Sequence, residues 1–197
     1  MKKALKNWDT YANQIRSLAD RLGFKGNTLE FLAYAVELES GKVYDKIKGV
    51  YENNPNTLHI LLAHYSNAIQ KERTGKLVKF GELPGGYAYE NAFQKRAIFP
   101  LARMFENNPE KLVEAAKLLG GFRLEYGDVS VEIPALPMVP LTYVLWKGDS
   151  ELNSSASILF DASASNYLPT EDIAILAQLA TMQLKHANYR ILKQNFK

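Results

Sequence analysis

Leu5, Trp8, Tyr11, Ala12, Ile15, Leu18, Ala19 and Leu22 recur at steps of three and four, so the chain opens with an amphipathic helix that Gly23 stops. From Thr28 the period shortens. Leu29, Phe31, Ala33 and Ala35, then Val36 and Leu38, alternate as strands do, and Glu39-Ser40-Gly41 turns the chain into Lys42-Val43-Tyr44. A short hairpin is predicted there, with a helix as the competing reading. Asn53-Asn54-Pro55-Asn56 is a loop that ends on an N-cap, and Leu58, Leu61, Leu62, Tyr65 and Ile69 form the stripe of a second helix. Lys76 to Phe80 is a brief strand, and Glu82-Leu83-Pro84-Gly85-Gly86 is a turn that glycine tolerates best.

A helix then runs from about Tyr87 to Phe105, kinked or restarted near Pro100, which lacks the amide hydrogen a helix interior needs. Asn108-Pro109-Glu110 opens the next helix and Gly120-Gly121 closes it. Phe122 to Glu125 and Val129 to Ile133, joined by Tyr126-Gly127-Asp128, pattern as a second hairpin. Pro134, Pro137 and Pro140 enforce an extended path into the strand Leu141 to Trp146, and Ala156 to Phe160 is the last strand. Thr170 caps a closing helix whose Ile173, Leu176, Ala177, Ala180 and Leu184 share one face. Hairpins and helices without repeated strand–helix–strand units predict an α+β fold, a mainly antiparallel sheet packed against several helices. A single domain is expected over residues 1–197: an N-terminal helix (1–26), a hairpin plus helix (27–75) and a core (76–197).

Composition narrows the classes. With 47% hydrophobic and 23% charged residues the chain is an ordinary globular one, and a net charge of +3 carries no nucleic-acid footprint. The absence of cysteine removes disulfides, thiol nucleophiles, Cys-ligated zinc and any iron–sulfur cluster built by this chain alone. Asn7, Asp9, Asn13 and Arg16 interrupt the basic N-terminus, so it has no apolar signal core, and no apolar run reaches membrane-spanning length. A cytoplasmic protein without membrane contact is the expectation. Beyond Asp172 there are no acids, while Lys185, Arg190, Lys193 and Lys197 follow. Helix electrostatics accounts for that polarity, with an anion-binding tail as the other reading.

Between Ala135 and Ile173, acids sit at the edges of apolar runs, where a carboxylate needs a partner. Asp149, Glu151 and Asp161 border two strands, and a hairpin-like return would bring them together as oxygen ligands for Mg²⁺, Mn²⁺ or Ca²⁺ or as an acid and base pair. The simpler reading makes Gly148-Asp149 a turn and Asp161 a cap on Ala162 to Asn166. No residue is assigned as a metal ligand. Glu171 and Asp172 suit the first turn of the last helix through its dipole. Tyr89, Arg96 and Arg103 fall seven apart on one helix flank beside the core stripe Phe93, Ala97, Leu101 and Met104. The two guanidinium groups could join an ion-pair network or grip an anion. His64 lies at the edge of its helix's apolar stripe as a packing residue or ligand contact, and His59 diverges from it around the helix. His186 complements a helix end. Gly85 and Gly86 precede a helix, where bare amides bind anions, but the phosphate-loop spacing is missing.

Several segments in order, FGELPGGYAYENAFQKRAIFPLARMF (Phe80 to Phe105), LLGG (Leu118 to Gly121), ALPMVPL (Ala135 to Leu141), LWKGDSE (Leu145 to Glu151) and ILFDASASNYLPTEDIAIL (Ile158 to Leu176), resemble the family catalogued as domain of unknown function 3786, with LLAHY (Leu61 to Tyr65) ahead of them. The resemblance implies a protein of bacteria or archaea. Some relatives carry a cysteine-rich iron–sulfur module of a type also seen in corrinoid proteins of one-carbon metabolism. The chain lacks that module, and Ser150, Leu152 and Asn153 replace the acid, phenylalanine and proline the family pattern implies. The resemblance suggests a cytoplasmic accessory or ligand-binding domain linked to anaerobic redox or one-carbon (corrinoid or iron–sulfur) metabolism. Its ligand set would draw on Arg96, Arg103, Tyr89, His64, Gly85 and Gly86. The alternative is a carboxylate-based or divalent-metal hydrolase or lyase using Asp149, Glu151 and Asp161, with Arg96 on an anionic substrate. Neither reading names a cofactor. The expected partner is a protein or a small molecule, not nucleic acid, and a homo-oligomeric scaffold is a third reading.

Overall fold

The period-two stretch after Thr28 folds as four short antiparallel strands in sequence order, β1 (Thr28–Phe31), β2 (Tyr34–Glu37), β3 (Val43–Asp45) and β4 (Val50–Tyr51). This computed structural model describes residues 5–148, 151 and 153–195. The predicted turn at Glu39–Gly41 joins β2 to β3, with the Gly41 amide donating to the Glu37 carbonyl at 2.8 Å. A second turn, Leu32-Ala33, splits what the sequence showed as one strand, pairing Phe31 with Tyr34. Both of its residues are left-handed, at φ 47° and 61°.

The opening helix α1 (Leu5–Arg16) ends earlier than Gly23. Ser17 to Phe24 wind on as separate turns, with Asp20 and Leu22 themselves left-handed, yet Leu18 and Leu22 stay buried as their spacing predicted. Trp8 anchors α1: its ring lies 5.3 Å from that of His59, and a side chain at Gly41 would sit 2.2 Å from the indole. The second helix α2 (Asn56–Ser66) buries Leu58, Leu61, Leu62 and Tyr65. Asn56 is its first residue rather than its cap, and Ile69, past its end, is 79% exposed.

The second sheet holds β5 (Leu77–Lys79), β6 (Phe122–Leu124), β7 (Val129–Leu136), β8 (Val139–Trp146) and β9 (Ser155–Asp161) in the order β5-β9-β8-β7-β6, every pairing antiparallel. The prolines do not precede this sheet but lie inside it. Pro134 sits where the β7–β8 register shifts between Ile133 and Leu136, and Pro137-Met138 form the turn that pairs Leu136 with Val139. Strand β8 is buried from Val139 to Leu145, Thr142 included, as a central strand covered on both faces must be.

Helices α3 (Glu90–Phe93) and α4 (Phe99–Phe105) are joined by one π-helical turn, Gln94–Ile98, in which the Phe99 amide donates to the Gln94 carbonyl five residues back. The extra residue puts Phe93, Ala97, Leu101 and Phe105, four apart, on one buried face. Phe93 stacks on Phe80 at 4.2 Å, and Phe160 of β9 completes the aromatic group. Helix α5 (Lys111–Leu118) packs on β7 and on the 26-residue α6 (Thr170–Asn195), whose Ile173, Leu176, Ala177, Ala180 and Leu184 are fully buried. The α+β class with antiparallel sheets is therefore as the sequence predicted, with two sheets in place of one. One cluster of buried apolar residues runs from Trp8 to Ala187.

Candidate functional site

Residues read separately in the sequence meet around the start of α6. Thr170, its first residue, does not cap the helix; its hydroxyl donates to the Pro84 carbonyl at 2.7 Å and ties down the Gly85-Gly86 turn. Gly85 is left-handed at φ 74°, and a side chain on Gly86 would lie 2.0 Å from the Phe80 carbonyl oxygen, so the glycines allow two chain segments to touch. Glu171 lines a cavity of about 220 Å³ together with Tyr89, Ala92, Phe93, Arg96 and Gln178. Asp172 turns the other way and meets His64 of α2. Five of the six residues expected to contact a ligand thus flank one helix start.

Arg103 is the exception. Two turns of α-helix would align it with Arg96, but the π turn inserts a residue and rotates it by about 100°. It lines a different recess, beside Phe99, Glu106, Gly148 and Asn153.

The His64–Asp172 pair is the most chemically defined feature. Asp172 is 6% exposed and lies in the first turn of α6, where the oriented amides favour an anion. Its Oδ2 lies 2.6 Å from His64 Nδ1, a charge-assisted distance. In the neutral imidazole, an Nδ1–H that donates to the carboxylate fixes the tautomer in which Nε2 carries the lone pair. That nitrogen has no protein partner among the described residues. The imidazole is 42% exposed and borders an open recess of about 380 Å³ with Asn67, Asn166, Tyr167 and Pro169. Tyr167 is held by its hydroxyl against the Lys71 backbone, which makes that wall rigid. The sequence placed both members but not their contact, because 108 positions separate them.

The carboxylates do not converge. Asp161 is 2% exposed and accepts four hydrogen bonds: from the Thr74 amide at 3.0 Å, the Thr74 hydroxyl at 2.9 Å, the Gly75 amide at 2.8 Å and the Ser163 amide at 2.9 Å. Burial alone would raise its pKa, but the hydrogen bonds from Ser163 and Thr74 outweigh it and hold the group well below the usual carboxylate range. It caps the 3₁₀ turn Ala162–Asn166 and pins the segment leading into β5. Glu151 lies in the β8–β9 connection, beyond the Trp146–Ser155 pair, whereas Asp161 is the last residue of β9, at the opposite end of that strand. Asp149 lies outside the described residues. Among the described residues, no three of His, Asp and Glu gather where a metal ion could be held.

A third buried acid escaped sequence reading. Asp45 is fully buried and accepts from the Ile47 and Lys48 amides, each at 2.9 Å, and from Gln183 Nε2 at 3.0 Å. Burial opposes its ionisation, but these donors prevail and lower its pKa. Nearby Tyr34 is pushed up by burial and by Asp45. Alternation with Val43 and Ile47 was the available signal, since it places Asp45 on the core side of β3.

The fold defines an α+β domain with a histidine–carboxylate pair at a helix start. The chain belongs to the family described as domain of unknown function DUF3786, whose model matches residues 14–183. The match reaches back into α1, well ahead of the segments that first carried the resemblance. No curated protein and no solved structure matches the chain. No helix among the described residues is long and apolar enough to cross a membrane.

Proposed function

We propose that this protein is a cytoplasmic ligand-binding accessory domain in which His64 presents Nε2 to the metal centre of a ligand. The observation that carries the reading is the 2.6 Å bond from Asp172 to His64 Nδ1. A carboxylate on one imidazole nitrogen orients the ring and raises the basicity of the other, the arrangement that metal-ligating histidines use. The recess is open, so it accepts one face of a large flat ligand rather than enclosing it. Some relatives of the family carry an iron–sulfur module of a type also seen in corrinoid proteins, a module this chain lacks, and that link makes a corrinoid the first ligand to try, in service of anaerobic redox or one-carbon metabolism. Binding is favoured over a carboxylate-based hydrolase or lyase because Asp161 is committed to the Thr74, Gly75 and Ser163 donors and stands at the other end of β9 from the connection that carries Glu151.

Aquacobinamide, which lacks its own nitrogenous base, is the probe. Titration into the protein should shift its visible bands as an imidazole enters the coordination sphere. His64→Ala should abolish the shift, and Asp172→Asn should weaken binding by about 10- to 100-fold. An unchanged spectrum with the wild-type protein, or an equal shift with His64→Ala, would overturn the assignment.

A further inference from the structure

Eighteen residues along α6 from Asp172, about 27 Å away, Arg190 lies at the mouth of another recess, of about 480 Å³. Its walls include Ile47, Lys48, His186, Tyr189, Arg190 and Lys193, and no carboxylate lines it. The charges are not equivalent. Lys48 is neutralised, 3.3 Å from Asp45 and 2.8 Å from Glu52. Arg190 and Lys193 have no acidic partner among the described residues. Arg190 Nη1 donates to the Lys46 carbonyl at 3.1 Å and to the Ile47 carbonyl at 3.5 Å, which fixes the guanidinium at the rim, while Nε and Nη2 have no protein partner among the described residues. Lys193 Nζ sits 4.6 Å from the centre of the Tyr189 ring, and that ring is 59% exposed.

The basic end of the helix has an electrostatic explanation, since cations complement the last turn of α6. That accounts for the signs of the charges. It does not account for a recess that joins two unpaired cations to an exposed aromatic ring and an aliphatic wall. Among the lining residues, His186 has a buried Nδ1 without a hydrogen-bond partner, so the recess wall holds unused polar capacity. A volume of this size is that of a small-molecule site, and a guanidinium with free forked donors matches phosphate oxygens.

We propose that this recess is a second binding site, for a small phosphate-bearing molecule with a flat heterocycle, of mononucleotide size. The phosphate is held by Arg190 and Lys193, and the ring lies against Tyr189 and Ile47.

Calorimetric titration with AMP, adenosine and ribose 5-phosphate tests both halves of the site. AMP should bind more tightly than either fragment. Lys193→Gln, which breaks no hydrogen bond of the fold, should weaken AMP by about fivefold, and Arg190→Gln with Lys193→Gln together by more than tenfold. Tyr189→Leu should weaken AMP and adenosine but leave ribose 5-phosphate unchanged. His64→Ala should leave AMP binding intact, so failure at the corrinoid site and failure here are separable. No binding of AMP at millimolar concentration, equal binding by the double variant with an unchanged melting temperature, or ribose 5-phosphate binding as well as AMP would each overturn the proposal.

Discussion

Asp161 shows how one side chain can be read correctly in kind and incompletely in reach. Its position before Ala162-Ser163 marks a cap, and the Ser163 amide is indeed bound. The contacts with Thr74 and Gly75 lie 87 and 86 positions away, and no local pattern reports them. Because the folded state depresses its pKa, the stabilisation is complete above the ordinary carboxylate value of about 3.9 and is lost as pH falls through that value toward the lower native one. Asp161→Asn should therefore cost about 2–3 kcal/mol in urea unfolding at pH 7 and distinctly less at pH 3. A gap that stays constant across that range would mean the charge is not what holds the Thr74–Gly75 strap. His64 and Asp172 pose the same problem of reach. The helix dipole was a sufficient reason for Asp172, so nothing in the sequence asked for a second partner.

At the scale of elements, hydrophobic period located nearly every strand and helix, and the misses fall where backbone conformation departs from residue preference. The Leu32-Ala33 turn joins β1 to β2 with both residues left-handed, a geometry that Asn-Gly would announce and Leu-Ala does not. Leu32 is only 1% exposed, so core burial offsets the strain at that residue. Ala33 gains less. Relief of a left-handed alanine, about 1–2 kcal/mol, exceeds the extra unfolded-chain entropy of glycine, so Ala33→Gly should stabilise the protein by about 0.5–1 kcal/mol in chemical denaturation. A loss of stability would show that the Ala33 methyl contributes more than the turn costs. The π turn is the converse case, because its signal was present. Phe93, Ala97, Leu101 and Phe105 repeat every four residues, and a straight α-helix would carry the last about 120° from the first. Taking Met104 instead of Phe105 as the end of that stripe kept the helix regular and placed Arg103 on the wrong flank.

For the whole molecule the question is whether two sheets mean two folding units. The small sheet and the large one are bridged by groups that neither could satisfy alone. Tyr65 donates to the Leu22 carbonyl at 2.8 Å and accepts from the Met138 amide at 3.1 Å, joining the tail of α1 to the β7–β8 turn. Gln183 and Arg190 of α6 reach Asp45 of the small sheet and Lys46 in the turn after it, while the same helix packs its apolar face under β7 and α5. Separation would leave Asp45 and Gln183 buried or hydrated without each other, at a cost of about 1–3 kcal/mol for each unsatisfied group. It would also divide a core that is continuous from Trp8 to Ala187. Cooperative unfolding follows, and the two tryptophans are placed to test it: Trp8 is buried against the small sheet and Trp146 ends β8 of the large one. Trp8→Phe leaves a reporter on the large sheet, and Trp146→Phe leaves one beside the small sheet. In each variant the fluorescence and far-ultraviolet circular dichroism curves in urea should coincide, as one all-or-none transition demands. If Trp8 fluorescence changed at a lower urea concentration than the dichroism, the region before β5 would be a separate unit docked on the rest, and α6 a clamp between two domains rather than a strut within one.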